Sequence, residues 1–303
     1  MTAATKNGTM FRSKNSRLAE RATEILTAEK PMTLRQLYYR CLSAGLLTNA
    51  QKEYKRLGAV MTRLREDGHV PLTWIVDHVR ATLKPSSWSG LADFGETVRG
   101  CYRKDFWESL DHHVEVFVEK DAIAGTIQPI TSEYDVALRV CRGYSSLSFV
   151  GEISRLWKAI KKPIFAYYLG DFDPSGFDLE RDLKEKLEKF SYRSCIDAFA
   201  DHDEIDGASF RWERLAVQHE DFAAHDLIAL PVKRRDMRAA GFLRNHGEQC
   251  AEVDALPPGE LRSRIKGAIL SHVEKERWNR LQAVEEAEKD SLAEIMEVWR
   301  NRT

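Results

Sequence analysis

The sequence predicts an α/β protein in which a helical N-terminal part precedes a parallel sheet. Apolar runs rich in strand-forming residues, at 114–118 and 164–169, lie far enough apart for helical crossovers between them. Before them, residues 33–44 place apolar side chains at i, i+3, i+4, i+7 and i+8, which is the period of a helix with one buried face. A length of 303 residues suits two domains of ordinary size.

Composition predicts a soluble cytoplasmic protein. Hydrophobic residues make up 43% of the chain and charged residues 31%, and no run approaches the roughly 18 apolar residues that span a bilayer. Residues 1–16 are polar, so they predict a disordered basic arm and not a secretory signal. The five cysteines are scattered without a Cys-x-x-Cys pair, which argues against a zinc site and against a disulfide framework.

Charge is distributed unevenly along a chain whose net charge is only −1. Residues 1–110 contain 18 Lys and Arg against 11 Asp and Glu, whereas the remainder contains 28 against 36. This asymmetry predicts a polyanion-binding N-terminal half and an acidic, cation-binding C-terminal half.

The N-terminal half predicts a DNA-binding domain of the winged-helix type over residues 17–80. Amphipathic helices are expected at 17–30, at 33–44 with Thr33 as N-cap, and at 49–66, and residues 69–76 could form a β-wing. The third helix has a basic side. On this helix, Lys52, Lys55, Arg56 and Arg63 are expected to contact DNA. Outside it, the residues expected to do so are Arg40, Lys120 and Arg142. The alternative is a small helical domain with ordinary surface lysines.

The second helix carries two adjacent tyrosines in different positions relative to its apolar stripe. Tyr38 belongs to the stripe, whereas Tyr39 falls about 100° away from it. We therefore expect Tyr39 at the edge of the buried face or outside it, beside Arg35 and Arg40.

Acidic residues follow two of the predicted strands. The run 164–169 ends at a glycine followed by Asp171 and Asp173, and the run 114–118 is followed by Glu119. Carboxylates at the C-terminal ends of neighbouring parallel strands converge at one edge of a sheet, where they could bind Mg²⁺. An acidic turn without a metal is the alternative, because Asp, Pro, Ser and Gly are common turn residues.

The order strand–Glu, strand–Gly, strand–Asp-x-Asp over residues 112–185 resembles the Toprim domain, the metal-binding module of topoisomerases, primases and some nucleases. In addition, the segment 33–40, Thr-Leu-Arg-Gln-Leu-Tyr-Tyr-Arg, resembles the catalytic-tyrosine motif of the topoisomerase VI A subunit and the related meiotic double-strand-break protein. In that family a winged-helix domain with this tyrosine precedes a Toprim domain. The resemblance implies a Toprim domain at 111–260. The Pro-, Ser- and Gly-containing segment 81–110 predicts a connector with a short helix near 98–110, and the apolar spacing at 261–303 predicts C-terminal helices in two pieces.

The resemblance also implies a mechanism, a type IIB topoisomerase-like double-strand break. Tyr39 would attack a DNA phosphodiester, with Arg35 activating the phenol or holding the phosphate, and with Glu119, Asp171 and Asp173 holding Mg²⁺ as the cofactor. The tyrosine of one subunit would meet the metal site of the other, which implies a homodimer on double-stranded DNA and a nucleoid-associated protein.

Some features depart from that family. Ser145 and Ser146 follow Arg142-Gly143-Tyr144 where the family tends to have Pro-Asp, and the chain is shorter than expected of the A subunit. No ATPase motif occurs, so ATP-driven strand passage would need a separate B-type subunit. Two alternatives stay open: a Mg²⁺-dependent Toprim nuclease that cuts without a covalent tyrosine intermediate, and a non-catalytic DNA-binding protein.

Overall fold

Three helices form the N-terminal part of the structure, a computed structural model that describes residues 13–76, 86–196, 205–233 and 235–300. They are α1 (Ser13–Glu29), α2 (Leu34–Ser43) and α3 (Gln51–Glu66), close to the predicted bounds. The arm predicted at 1–16 is too long, because residues 13–16 already belong to α1; residues 1–12 lie outside the described part.

Helix α2 begins at the predicted N-cap. Thr33 accepts a hydrogen bond from the Gln36 amide, and the Gln36 side chain accepts one from the Thr33 amide at 2.8 Å, so two otherwise unpaired amides are satisfied. The buried Gln36 side chain also accepts a hydrogen bond from Thr126 at 3.0 Å, which ties α2 to the α/β part of the chain.

The segment predicted to form a β-wing takes a different conformation in its described residues. A 3₁₀ helix spans Leu72–Trp74, and Ile75 makes an isolated parallel bridge with Met32 instead of a hairpin. The proline at 71 sets a turn at the start of this segment, and the residues that could supply a second wing strand, 77–85, lie outside the described part.

A five-stranded parallel sheet forms the centre of the remaining chain. Its order is β2-β1-β3-β5-β4. The strands, with the helices between them, are β1 (His113–Val118), α6 (Asp121–Glu133), β2 (Ala137–Val140), α7 (Leu147–Ala159), β3 (Ile164–Leu169), α8 (Pro174–Ser191), β4 (Ser194–Ile196) and β5 (Ser209–Ala216). The α/β class and the strands at 114–118 and 164–169 are thus confirmed.

Helices cover both faces of this sheet, as the apolar composition of its central strands requires. Alternate residues of β3 face opposite sides: Phe165 and Tyr167 pack with α6 and the C-terminal helices, whereas Ala166 and Tyr168 pack with α7 and α8. All six residues of β3 are buried in consequence.

The segment predicted as a connector contains two helices, α4 (Leu91–Cys101) and α5 (Phe106–Ser109). Beyond the sheet come α9 (Asp221–Ala224), β6 (Leu230–Pro231), α10 (Ala239–His246), β7 (Gln249–Cys250), a 3₁₀ helix (Val253–Ala255), α11 (Pro258–Leu270) and α12 (Lys275–Arg300). The C-terminal region is helical in two pieces, as predicted, and α12 packs along α4.

One hydrophobic core joins the N-terminal helices to the sheet. It runs without a break from Leu26 and Leu37 through Val116 to Ile265. Within the described ranges, no helix is long and apolar enough to cross a membrane.

Candidate functional site

The candidate site lies at the C-terminal edge of β1 and β3. These strands are adjacent and parallel, with Val118 paired to Leu169, so Glu119 and Asp171 leave the sheet side by side. The chain reaches β2 on one side of β1 and β3 on the other, which makes this the point where the strand order reverses. Open α/β sheets bind their ligands at such a crevice.

Glu119 and Asp171 are in direct contact. The Glu119 Oε2 atom accepts a hydrogen bond of 2.8 Å from the Asp171 amide, and both side chains are buried. Burial raises the pKa of Glu119 to about 7, and the nearby carboxylate of Asp171 adds to the increase. A proton is therefore held and released near neutral pH at this carboxyl group.

Asp173 has a second role that its position in the sequence did not reveal. It is the N-cap of α8, and its Oδ1 accepts a hydrogen bond of 2.7 Å from the Gly176 amide. That tight turn depends on a glycine, because a Cβ at 176 would lie 2.4 Å from the Asp171 carbonyl oxygen. Asp173 is still close enough to Glu119 to raise its pKa slightly.

Two further carboxylates, Glu252 and Asp254, enter the site from the segment around the 3₁₀ helix at 253–255. They converge with Asp171 on Lys120, whose Nζ lies 2.6 Å from Asp171 Oδ2, 3.4 Å from Glu252 Oε2 and 3.7 Å from Asp254 Oδ2. We call Glu119, Asp171, Glu252 and Asp254 the carboxylate cluster.

Asp254 is the most buried member of the carboxylate cluster. Its side chain has 0% exposure, and neither of its oxygens has a hydrogen-bond partner. Burial raises its pKa to about 6, although the charges of Lys120 and Arg35 oppose the increase. A buried carboxylate without a donor is costly, so it indicates a site whose full set of partners includes something beyond these side chains.

The donor set of the carboxylate cluster fits Mg²⁺, although no ion site is preformed. In the described part of the chain, no three His, Cys, Asp or Glu side chains are arranged to hold a metal. The reason is local: Lys120 lies among the cluster, and Asp171 Oδ1 accepts a hydrogen bond of 3.0 Å from the Val253 amide. Carboxylate oxygens are the ligands that Mg²⁺ prefers, and the unpaired oxygens of Asp254 could complete such a set.

Tyr39 lies beside the carboxylate cluster but is buried, contrary to the expectation from the helix period. Its exposure is 7% and that of Tyr38 is 6%. The reason is that α2 packs on the segment around 253–255, which covers the side that a three-helix domain would leave open. Burial and the charge of Glu252 raise the pKa of Tyr39 to about 12, against the opposing effect of Arg35.

Arg35 connects Tyr39 to the carboxylate cluster. Its guanidinium contacts the Glu252 carboxylate, and its positive charge opposes the increase in the pKa of Tyr39. About half of the side chain stays exposed. It thus lies at the rim of the site.

Arg214 holds the loop that carries Asp171 in place through hydrogen bonds to its backbone. Its Nη1 donates to the carbonyl oxygens of Gly170 at 3.1 Å and Asp171 at 3.2 Å, and its Nε pairs with Glu180 at 2.7 Å. Glu180 is buried, and the Arg214 side chain is only 11% exposed. The arginine therefore sets where the Asp171 backbone leaves the sheet.

The residues predicted to contact DNA fall into three groups. Lys52, Lys55, Arg63 and Arg142 are exposed. By contrast, Arg40 is paired with Glu29 on α1 at 2.8 Å, and Arg56 contacts Glu53 and Asn15 at 2.9 and 2.8 Å. These two arginines stabilise the helix bundle, and Lys120 lies among the side chains of the carboxylate cluster.

The sequence analysis did not identify Glu252 and Asp254 as site residues. Their acidic i, i+2 spacing repeats that of Asp171 and Asp173, and this was the available signal. The sequence could not reveal the long-range contact. Asp171 accepts a hydrogen bond from the Val253 amide, and 82 positions separate these two residues. The sequence matches no protein-family model, and no curated protein is significantly similar to it.

Proposed function

We propose that this protein is a Mg²⁺-dependent enzyme that cleaves the phosphodiester backbone of DNA at the carboxylate cluster. The observation that carries the proposal is the convergence of four largely buried carboxylates at the switch point of a parallel sheet, with Arg35 at the rim. Such a concentration of buried negative charge is costly unless a cation is bound, and hard divalent cations are the usual partners of carboxylates.

Within this proposal the sheet is a Toprim domain and the N-terminal helices are the DNA-binding part. The parallel order with Glu119 after β1 and Asp171 after β3 is consistent with the resemblance. The exposed basic residues Lys52, Lys55 and Arg63 on α3 offer charge for the phosphate backbone.

The residues of the site have distinct roles in such a reaction. Asp171, Glu252 and Asp254 would hold Mg²⁺, which when bound supplies positive charge for the phosphate oxygens. Arg35 binds a non-bridging phosphate oxygen through its exposed guanidinium. Glu119, with a pKa of about 7, accepts a proton at its carboxylate near neutral pH. Arg214 holds the backbone of Asp171 in place.

Water is the nucleophile that the geometry favours. Tyr39 is 93% covered by its own chain and has a pKa of about 12, so few phenolates exist at neutral pH and the phenol is shielded from a polymer. Glu119 is better placed to accept a proton from water. Attack by water corresponds to the Toprim nuclease, the alternative that cuts without a covalent tyrosine intermediate.

Tyrosine transesterification is the second candidate, and one observation favours it. The Tyr39 phenol and the carboxylate cluster belong to one site, linked by Arg35, so a nucleophilic tyrosine would not be far from the proposed cation. It requires that α2 move away from the segment around 253–255 to expose the phenol. The homodimer and the separate ATPase subunit implied by the resemblance belong to this candidate.

Cleavage of supercoiled plasmid DNA by the full chain tests the proposal. Wild type with Mg²⁺ should nick or linearise the plasmid, and EDTA should prevent it. Asp171→Asn should lower the rate by about a hundredfold or more, because it removes a carboxylate that would hold Mg²⁺ beside the reacting phosphate, whereas the exposed control Asp290→Asn should cut normally.

The same assay distinguishes the nucleophiles. If water attacks, Tyr39→Phe keeps cutting and no protein remains on the DNA after denaturation. A covalent adduct that disappears in Tyr39→Phe would establish the second candidate instead. DNA binding without any Mg²⁺-dependent cleavage would contradict both and leave a DNA-binding protein.

A further inference from the structure

Lys120 lies inside the carboxylate cluster, where a resident cation would be expected. It follows Glu119 directly as the N-cap of α6, and its side chain crosses toward Asp171, Glu252 and Asp254. The Lys120 ammonium therefore faces three carboxylates at once.

A lysine is nevertheless an incomplete partner for this site. Its Nζ makes a short contact only with Asp171, at 2.6 Å, and remains 3.4 Å from Glu252 and 3.7 Å from Asp254. Both oxygens of the wholly buried Asp254 are consequently left without a hydrogen-bond donor. One ammonium and the Arg35 guanidinium face four carboxyl groups, so the acidic groups of the cluster outnumber their cationic partners.

The Lys120 side chain has room to move toward the solvent-exposed rim of the site. About a quarter of it, 26%, is exposed, and a lysine stem has four rotatable carbons that let its head move between a buried and an exposed position. Arg35 lies on the same side of the site, beside Glu252. An ammonium released from Asp171 would thus join Arg35 at the rim where the proposed phosphate binds.

We infer that the Lys120 ammonium occupies the place of the divalent cation in the metal-free protein. It holds the carboxylates together there, and Mg²⁺ displaces it toward the DNA phosphate. This inference rests on the proposed function. It explains why the carboxylates can be buried without a metal and why no ion site is preformed among the described residues. It also couples metal binding to the appearance of a phosphate-binding group.

Metal binding in the absence of DNA tests the inference. Mn²⁺, which is paramagnetic, serves as the probe, and its free concentration is followed by EPR during titration of the full chain. Lys120→Met should bind Mn²⁺ about tenfold more tightly or better, because the competing charge is gone. Lys120→Arg, which keeps the charge, should not bind more tightly than wild type, and Asp254→Asn should bind more weakly.

Removing Lys120 could unfold the metal-free protein, because four carboxylates would repel one another. Thermal unfolding covers that case: Mn²⁺ should raise the melting temperature of Lys120→Met more than that of wild type. A Lys120→Met protein that Mn²⁺ neither refolds nor stabilises more than wild type would overturn the inference.

The remaining outcomes separate the two proposals. Equal or weaker Mn²⁺ binding by Lys120→Met, with clear binding by wild type that Asp254→Asn weakens, would refute the role of Lys120 and leave the proposed function standing. Absence of Mn²⁺ binding by wild type and by Lys120→Met would refute both.

Discussion

Replacing Glu119 with glutamine should stabilise the metal-free protein at alkaline pH. The pKa of Glu119 is about 7 in the folded chain, against an ordinary value of 4.5 in the unfolded chain. Between these two values the folded protein binds the extra proton, so the free energy of unfolding falls as the pH rises through this window. Above it, the folded protein holds a buried charge that glutamine would remove.

The magnitude follows from the same two values. At about 1.4 kcal/mol for each pH unit, the difference between 4.5 and about 7 corresponds to about 3 kcal/mol of lost stability at pH 8. Glutamine still offers an oxygen to the Asp171 amide, which now hydrogen-bonds Glu119 at 2.8 Å, so the substitution removes charge and keeps this contact. We expect a gain of up to about 3 kcal/mol at pH 8 and almost none at pH 4.5.

Urea unfolding in EDTA, followed by the fluorescence of the seven tryptophans, measures this gain. The exposed Glu248→Gln provides a matched control and should change stability little at either pH. If Glu119→Gln were no more stable than wild type at pH 8, or gained the same amount at both pH values, then Glu119 would not be a buried carboxyl group with a raised pKa.

Three further predictions concern the scaffold, each measured as a free energy of unfolding. Arg214→Met should cost about 3–5 kcal/mol because it leaves the buried Glu180 carboxylate with the Trp212 hydrogen bond but without a positive charge, and a cost under 1 kcal/mol would show that the pair is dispensable. Gly176→Ala should cost about 1–3 kcal/mol because its Cβ would meet the Asp171 carbonyl, whereas Gly151→Ala, with open space in α7, should gain up to about 1 kcal/mol; equal effects would contradict the clash. Thr33→Ala should lose about 1 kcal/mol of helix capping, and Thr33→Ser should restore most of it.

Much of the fold could be predicted because its signals are local. The apolar run at 164–169 is β3 to the residue, and Thr33 caps α2 as its pattern indicated. Parallel strands that are buried on both faces read as continuous apolar runs, and capping residues act on amides three positions away. Such features need no knowledge of distant segments.

The candidate site was predicted in part, and its missing members depend on distant contacts. Glu119 and Asp171 were paired correctly because both follow strands that the sheet places side by side. The expected exposure of Tyr39 was wrong because a helical period identifies only the apolar face of a helix. Here a second partner, the segment around 253–255, packs on another side of α2 and buries the tyrosine. Glu252 and Asp254 were missed for the same reason.

The unbroken core between the N-terminal helices and the sheet limits how this protein could have evolved. Recombination often exchanges modules between proteins when a flexible linker is all that joins them. Here Gln36 is shared between a helix cap and Thr126, and Arg262 of α11 donates to the carbonyl oxygens of Glu29 and Pro31. A foreign module grafted at this junction would have to reproduce those bonds, so the two halves are expected to be inherited together.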